Sequence, residues 1–141
     1  YNNCNVGTAW SRDFPFLPYD ELANEYLDIA AKAMKCLPTV YYPVATVAWD
    51  SSPRCIQSEI YDTAPNYPWL PVMQSTPEEF GNAIRHTIDL LKTRPKNEQI
   101  MFINAWNEWT EGAYLEPDQY TGMAYLDTLK KILKGRINRK F

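Results

Sequence analysis

The seven residues 99–105, QIMFINA, form a short apolar run between two amphipathic helical patterns, and no other feature constrains the fold as tightly. A run of this length without alternation reads as a strand covered on both faces, as in a parallel sheet. The helix before it opens on a capping box, with Thr76 at the N-cap, Pro77 at the first helical position and Glu79 three residues after the cap. Its apolar stripe is Phe80, Ala83, Ile84, Thr87, Ile88 and Leu91, and Pro95 ends it. The helix after the run spans 122–134, with Leu126, Leu129, Ile132 and Leu133 expected to face inward. Upstream, a third helix is expected over 19–35, with Leu22, Tyr26, Leu27, Ala30, Ala33 and Met34 on one face. A second strand is expected over 40–48, with Pro43 at its start or at a bulge because proline has no amide hydrogen to give a ladder.

The order is helix, strand, long loop, helix, strand, loop, helix. Such alternation predicts an α/β fold in which parallel strands are covered by helices. No repeat or flexible linker interrupts it, so 1–141 reads as a single domain. Two strands and three helices are too few for a closed (β/α)8 barrel, which takes about 250 residues. In a barrel of that kind this chain would be the C-terminal portion, with the opening YNNCN a remnant of an earlier strand end.

Charge narrows the partners. The net charge is −3, and the basic cluster is the stretch from Lys130 to Lys140, read as the solvated end of the last helix, so nucleic acid is not expected. No apolar run approaches the roughly 18 residues of a membrane span, and no signal-peptide pattern opens the chain. Cys4, Cys36 and Cys55 are odd in number and lack metal-site spacing; they read as reduced, buried or half-buried thiols and lean the expected compartment towards the cytoplasm. His86 is mid-helix and reads as surface or satisfied structure; Glu116 and Asp118 are too few for a cation site; and no Gly-rich phosphate loop is present. No metal and no cofactor is expected.

In α/β folds functional residues gather where strands end. AWDSSPR, 48–54, follows one strand and AWNEWTEG, 105–112, follows the other. Glu108 and Glu111 are three apart, so one helical turn would bring their Cβ atoms to roughly 5–6 Å. Glycoside cleavage commonly uses two carboxyl groups about 5–9.5 Å apart, one to protonate a leaving oxygen and one to accept a proton or stabilise positive charge. Burial beside Trp106 and Trp109 would separate the two roles. The bland alternative is that both glutamates cap the next helix or face water. Asp50 is a candidate for sugar hydroxyls and Arg54 for orienting a carboxylate or substrate, against the alternative of an internal Asp50–Arg54 bridge. Aromatic residues make up 14% of the chain, and Trp49, Trp69, Trp106 and Trp109 are candidate stacking platforms that could equally be packing. Asn107 is placed to fix a glutamate or a sugar hydroxyl, and Tyr114 completes the expected substrate-binding set.

The segment MFINAWNEWTEGAYLEPDQYTGMAYLDTL, 101–129, resembles the C-terminal part of the WbsX-like family, whose members carry glycosyltransferase or lipopolysaccharide-biosynthesis labels. WDSSPR at 49–54 resembles a second signature of that family, and TPEEF at 76–80 matches the helix start between them. The family is similar in fold and motif to glycoside hydrolase family 99, the endo-α-mannosidases and endo-α-mannanases. The resemblance implies a (β/α)8 TIM-type barrel with its site at the C-terminal face of the strands. It implies that Glu108 is the base acting on a sugar 2-hydroxyl and Glu111 the general acid, through a 1,2-anhydro sugar with net retention. Thr110 stands where family 99 has His. The expected activity is therefore cleavage or transfer of glycosidic bonds in a bacterial polysaccharide or glycan. The alternatives are a glycosyltransferase of surface-polysaccharide assembly and a non-catalytic glycan-binding domain. Expected partners are the glycan itself and either upstream parts of the same protein or a second copy.

Overall fold

The computed structural model describes residues 16–54 and 72–137. Its elements are α1 (Tyr19–Cys36), β1 (Val44–Thr46), α2 (Pro77–Leu91), β2 (Phe102–Asn104), β3 (Asn107–Glu108), β4 (Ala113–Tyr114) and α3 (Ala124–Ile137), with 3-10 turns at Ser52–Arg54, Lys96–Glu98 and Trp109–Glu111. β1 and β2 pair in parallel, Val44 opposite Phe102 and Thr46 opposite Asn104, and α2 is the crossover between them. β3 and β4 form a small antiparallel hairpin. The described residues thus make an α/β unit, a two-stranded parallel sheet with helices packed on it.

The strands are shorter than their apolar runs. Ile100 donates its amide to Glu98 O at 2.9 Å, so the start of the 99–105 run is spent on a local turn rather than on the ladder. On the other strand Pro43 gives only its carbonyl, which accepts from Phe102 N at 2.9 Å and opens the pairing. Full cover on both faces, expected of this run, is not met either: Phe102 is 56% exposed.

α2 forms as its sequence predicts. Thr76 accepts from Glu79 N at 3.2 Å while Glu79 accepts from Thr76 N at 2.6 Å, and Phe80, Ala83, Ile84, Thr87, Ile88 and Leu91 are all buried. The cap is worth about 1 kcal/mol, whereas burying Phe80, Ile84 and Ile88 contributes about 1.5–3 kcal/mol each, so packing decides where the helix lies. These three close on Ala45, Val47 and Leu115, with Leu126, Leu129 and Ile132 of α3 against them. Leu133, expected inward, is exposed, because the contact with α2 is made one residue earlier in the turn by Ile132. α2 and α3 approach closely at Gly81, where a Cβ would lie 2.7 Å from Thr128 Cγ2. A second cluster joins Leu17, Tyr19, Leu22 and Ala23 to Trp49, Met73 and Ala83. Tyr19 and Tyr26 anchor α1 to the strand by donating to Thr46 O at 2.6 Å and accepting from Val44 N at 2.8 Å.

Cys36, the last residue of α1, is exposed where a buried or half-buried thiol was expected; Cys4 and Cys55 lie outside the described residues. His86 is exposed on α2. None of the described helices is long and apolar enough to cross a membrane.

Candidate functional site

Both parallel strands deliver their chains to the same end of the sheet. Past β1, Val47 N donates to Asn104 O at 2.8 Å, and Trp49 and Met73 exchange backbone bonds at 2.6 and 2.8 Å. The second pair draws residues 72–75 alongside the loop that begins at Asp50. Past β2 the chain goes through a cis peptide between Asn104 and Ala105 into the β3–β4 hairpin, whose tip is the turn Trp109–Glu111. Asp50 N donates to Glu111 O at 2.6 Å, locking the two loops together. Gly112 makes this contact possible. Its φ is +62°, and a Cβ there would sit 2.9 Å from Asp50 Cβ. Any other residue would be strained by the backbone angle and by the neighbour.

The two glutamates have different companions. Glu111 Oε1 takes an ion-paired hydrogen bond from Arg54 Nη1 at 2.5 Å, with the side chains 41% (Arg54) and 18% (Glu111) exposed. Glu108 Oε1 accepts from Thr110 Oγ1 at 2.5 Å. Burial between tryptophans was expected to distinguish the pair, but Trp106 and Trp109 are 55% and 46% exposed. What distinguishes them is a guanidinium against one and a hydroxyl against the other. Arg54 reaches Glu111 rather than Asp50, whose Oδ1 is instead satisfied by Ser52 N at 2.9 Å.

The aromatic residues divide by role. Trp49 belongs to the core, 9% exposed among Leu17, Leu22 and Met73, so it is not a free stacking face, and its buried Nε1 has no hydrogen-bond partner among the described residues. Trp109 lies flat on Tyr114, 3.8 Å between ring centres and 15° between planes, and donates Nε1 to Glu116 Oε2 at 2.7 Å. One face of Trp109 is therefore taken. Trp106 is exposed, and its carbonyl accepts from Leu115 N and Glu116 N. Asn107 is exposed opposite Tyr114 in the hairpin. Trp69 lies outside the described residues.

Beside this cluster is a cleft of about 450 Å³, lined by residues that include Asp50, Gly112, Gln74, Tyr114, Tyr120 and Tyr125. Neither Glu108 nor Glu111 lines it; Asp50 and Gly112 are what it shares with the loops that hold them. Asp118 organises its far wall. Its carboxylate accepts from Tyr120 N at 2.7 Å, Thr121 N at 2.6 Å, Thr121 Oγ1 at 3.0 Å and Tyr114 OH at 3.1 Å. The Thr121 amide first, then the Tyr120 amide, hold the Asp118 carboxyl below its ordinary range. Burial first, then the bond to Asp118, push the Tyr114 phenol up. Burial also raises Tyr125, which donates to Ser75 O, while Ser75 Oγ donates to Val47 O at 2.5 Å. Gln74, Ser75, Tyr120, Thr121 and Tyr125 are absent from the site read off the sequence. The motif LEPDQYTG holds the local signal, an Asp followed two and three residues later by amides it can accept from. Among the described residues no group of three or more His, Cys, Asp or Glu is placed to hold a metal ion.

An α/β unit whose acidic and aromatic loops meet at the carboxyl ends of parallel strands has the make-up of a carbohydrate-active domain. The chain belongs to the family described as Glycosyltransferase WbsX, whose model matches residues 5–129. That membership supports a carbohydrate-active role. The chain is also 34% identical over 94 residues to WxcX, described as an uncharacterized protein, from two strains of Xanthomonas campestris pv. campestris, B100 and ATCC 33913. The match covers 65% of this chain and 12% of each relative, so the chain spans only a small part of the curated relatives it matches. No solved structure matches it significantly.

Proposed function

We propose that this chain supplies the strand-end face of a site that cleaves or transfers glycosidic bonds, with Glu108 and Glu111 as its two working carboxylates. The observation that supports the reading is that the loops after both parallel strands, carrying Asp50 and Arg54 on one and Glu108 and Glu111 on the other, meet at one end of the sheet, with Asp50 N bonded to Glu111 O at 2.6 Å. In this reading the parallel β1–α2–β2 unit is part of a (β/α)8 barrel completed by other segments of a longer protein. Glu108, beside the Thr110 hydroxyl, accepts the proton of a sugar hydroxyl. Glu111 protonates the leaving oxygen, with Arg54 Nη1 fixing the direction of its carboxyl group through Oε1. The family description favours a second reading, in which the acceptor is another sugar instead of water and the donor is an activated sugar.

The test is an assay of the full-length protein on mannan-type and O-antigen-type glycans, with and without added nucleotide sugars, beside Glu111→Gln. Release of reducing ends by the wild type, lost in Glu111→Gln, supports hydrolysis. Activity that needs the nucleotide sugar supports transfer. Equal glycan binding by both proteins with no turnover by either overturns catalysis in favour of a binding domain.

A further inference from the structure

We propose that the cleft bounded by Asp50, Gln74 and Tyr120 is a subsite for an uncharged sugar ring, and that it excludes phosphorylated and acidic sugars. This rests on the carbohydrate-active reading above and adds to it the charge class of one bound unit. At about 450 Å³ the cleft is within the usual size of small-molecule sites, roughly 300–1,000 Å³. Its wall includes two carboxylates, Asp50 and Asp118, and, among the described residues that line it, no Lys, Arg or His. The nearby Arg54 is directed to Glu111 instead. A phosphate or uronate carboxylate entering here would meet like charge with no cation among the described lining residues to answer it, an arrangement that costs affinity instead of adding it.

The hydrogen-bonding inventory of the wall sets what does fit. Asp118 is saturated: two amides and two hydroxyls already occupy its oxygens, so its role is to hold the turn that carries Tyr120 and to fix Tyr114. Tyr125 is committed to Ser75. Asp50 has Oδ1 on the Ser52 amide, leaving Oδ2 as an acceptor at the cleft. Gln74 adds an exposed amide, both donor and acceptor, and Tyr120, which also lines the cleft, is 87% exposed. One carboxylate oxygen, one amide and one open aromatic face suit a ring with several hydroxyls on its edge and C–H groups on its face. Because Asp50 N is bonded to Glu111 O at 2.6 Å, a ring held by Asp50 lies beside the turn that carries Glu111.

The experiment is calorimetric titration of the full-length protein with a neutral oligosaccharide, a uronate-containing oligosaccharide of equal length, and a nucleoside-diphosphate sugar. The neutral ligand should bind at least about tenfold more tightly than the uronate one, equal to roughly 1.4 kcal/mol. Tyr120→Ala, at a position too exposed to affect folding, should weaken the neutral ligand by about three- to tenfold through loss of the stacking face. Asp50→Asn keeps an oxygen for the Ser52 amide and should narrow the preference for neutral over uronate ligand. Equal or tighter binding of the acidic sugars, or neutral binding indifferent to Tyr120→Ala and Asp50→Asn, overturns the subsite while glycan turnover, and with it the broader function, stands. Failure of every glycan to bind overturns both.

Discussion

Arg54 Nη1 and Glu111 Oε1 meet at 2.5 Å although 57 residues separate them in sequence, and the contact joins the loops that follow β1 and β2. Such partly exposed pairs contribute little to stability, about 0.2–1 kcal/mol, so the interest of this one lies in where it holds the carboxylate. Arg54→Ala should therefore lower thermal stability by at most about 1 kcal/mol while reducing turnover of a processed glycan on the order of 10- to 100-fold, the cost of a carboxylate displaced by about 1 Å. The loss should be in kcat, with KM little changed. An unchanged kcat in Arg54→Ala would remove Arg54 from the positioning role.

Gly112 offers a sharper structural prediction. Alanine there must adopt a φ of +62° and place its Cβ 2.9 Å from Asp50 Cβ and 3.2 Å from Asp50 N. The turn and the Asp50–Glu111 backbone bond cannot both persist, so Gly112→Ala should cost about 1–3 kcal/mol in denaturant unfolding. A loss below about 0.5 kcal/mol, the level of an ordinary surface change, would show that the two loops are not locked as described.

Phe80 marks where α2 meets β1 and α3. It is fully buried, with Tyr125 edge-on at 5.8 Å between ring centres. Phe80→Ala should cost about 3–5 kcal/mol, several times the roughly 1 kcal/mol expected for loss of the cap in Thr76→Ala. Because Tyr125 also lines the cleft, the core variant should weaken glycan binding and the cap variant should not. Comparable destabilisation by the two, measured by chemical unfolding, would contradict the packing order argued for α2.

How much of this was readable in advance follows from the range of each interaction. α2 was legible throughout, because the Thr76–Glu79 cap, Pro77 beside it and each step of the stripe from Phe80 to Leu91 link residues no more than four apart. α1 was legible over nearly its full length for the same reason. The two parallel strands and the loops after them were legible in kind, but not in length: the start of the 99–105 run is turned aside by Ile100 bonding to Glu98. The pairing of Arg54 with Glu111, rather than Asp50, depends on two loops meeting in space and leaves no trace in local spacing. The cleft was missed for a related reason. Gln74 and Ser75 reach it only because Trp49 pairs with Met73, and of the aromatics singled out Tyr114 lines it beside Tyr120 and Tyr125, while Trp49, Trp106 and Trp109 are not among its described lining residues. Trp49 looked like a stacking platform because it follows a strand and precedes an Asp, and only its packing among Leu17, Leu22 and Met73 assigns it to the core.

Asp118 makes the cleft wall sensitive to pH, and the sign can be worked out from its bonds. Four donors hold its carboxyl below the ordinary value of 3.8, so the folded state favours the ionised form. The stabilisation is present above that value and is lost as pH falls through the lower folded value, when the protonated carboxyl gives up acceptor sites to Tyr120, Thr121 and Tyr114. Tyr114 has the opposite sense. Its phenol is raised above 10.0, so its contribution is whole below that pH and disappears as pH climbs through the folded value. Asp118→Asn should thus unfold at lower temperature than wild type at pH 7. The gap should close progressively below about pH 4, near the ordinary carboxylate range, because wild type then loses what the variant never had. Thermal melts of the two proteins at half-unit steps from pH 7 to pH 3 measure this directly, and a gap that stays constant across the range would mean that the charge on Asp118 does not hold the turn that presents Tyr120.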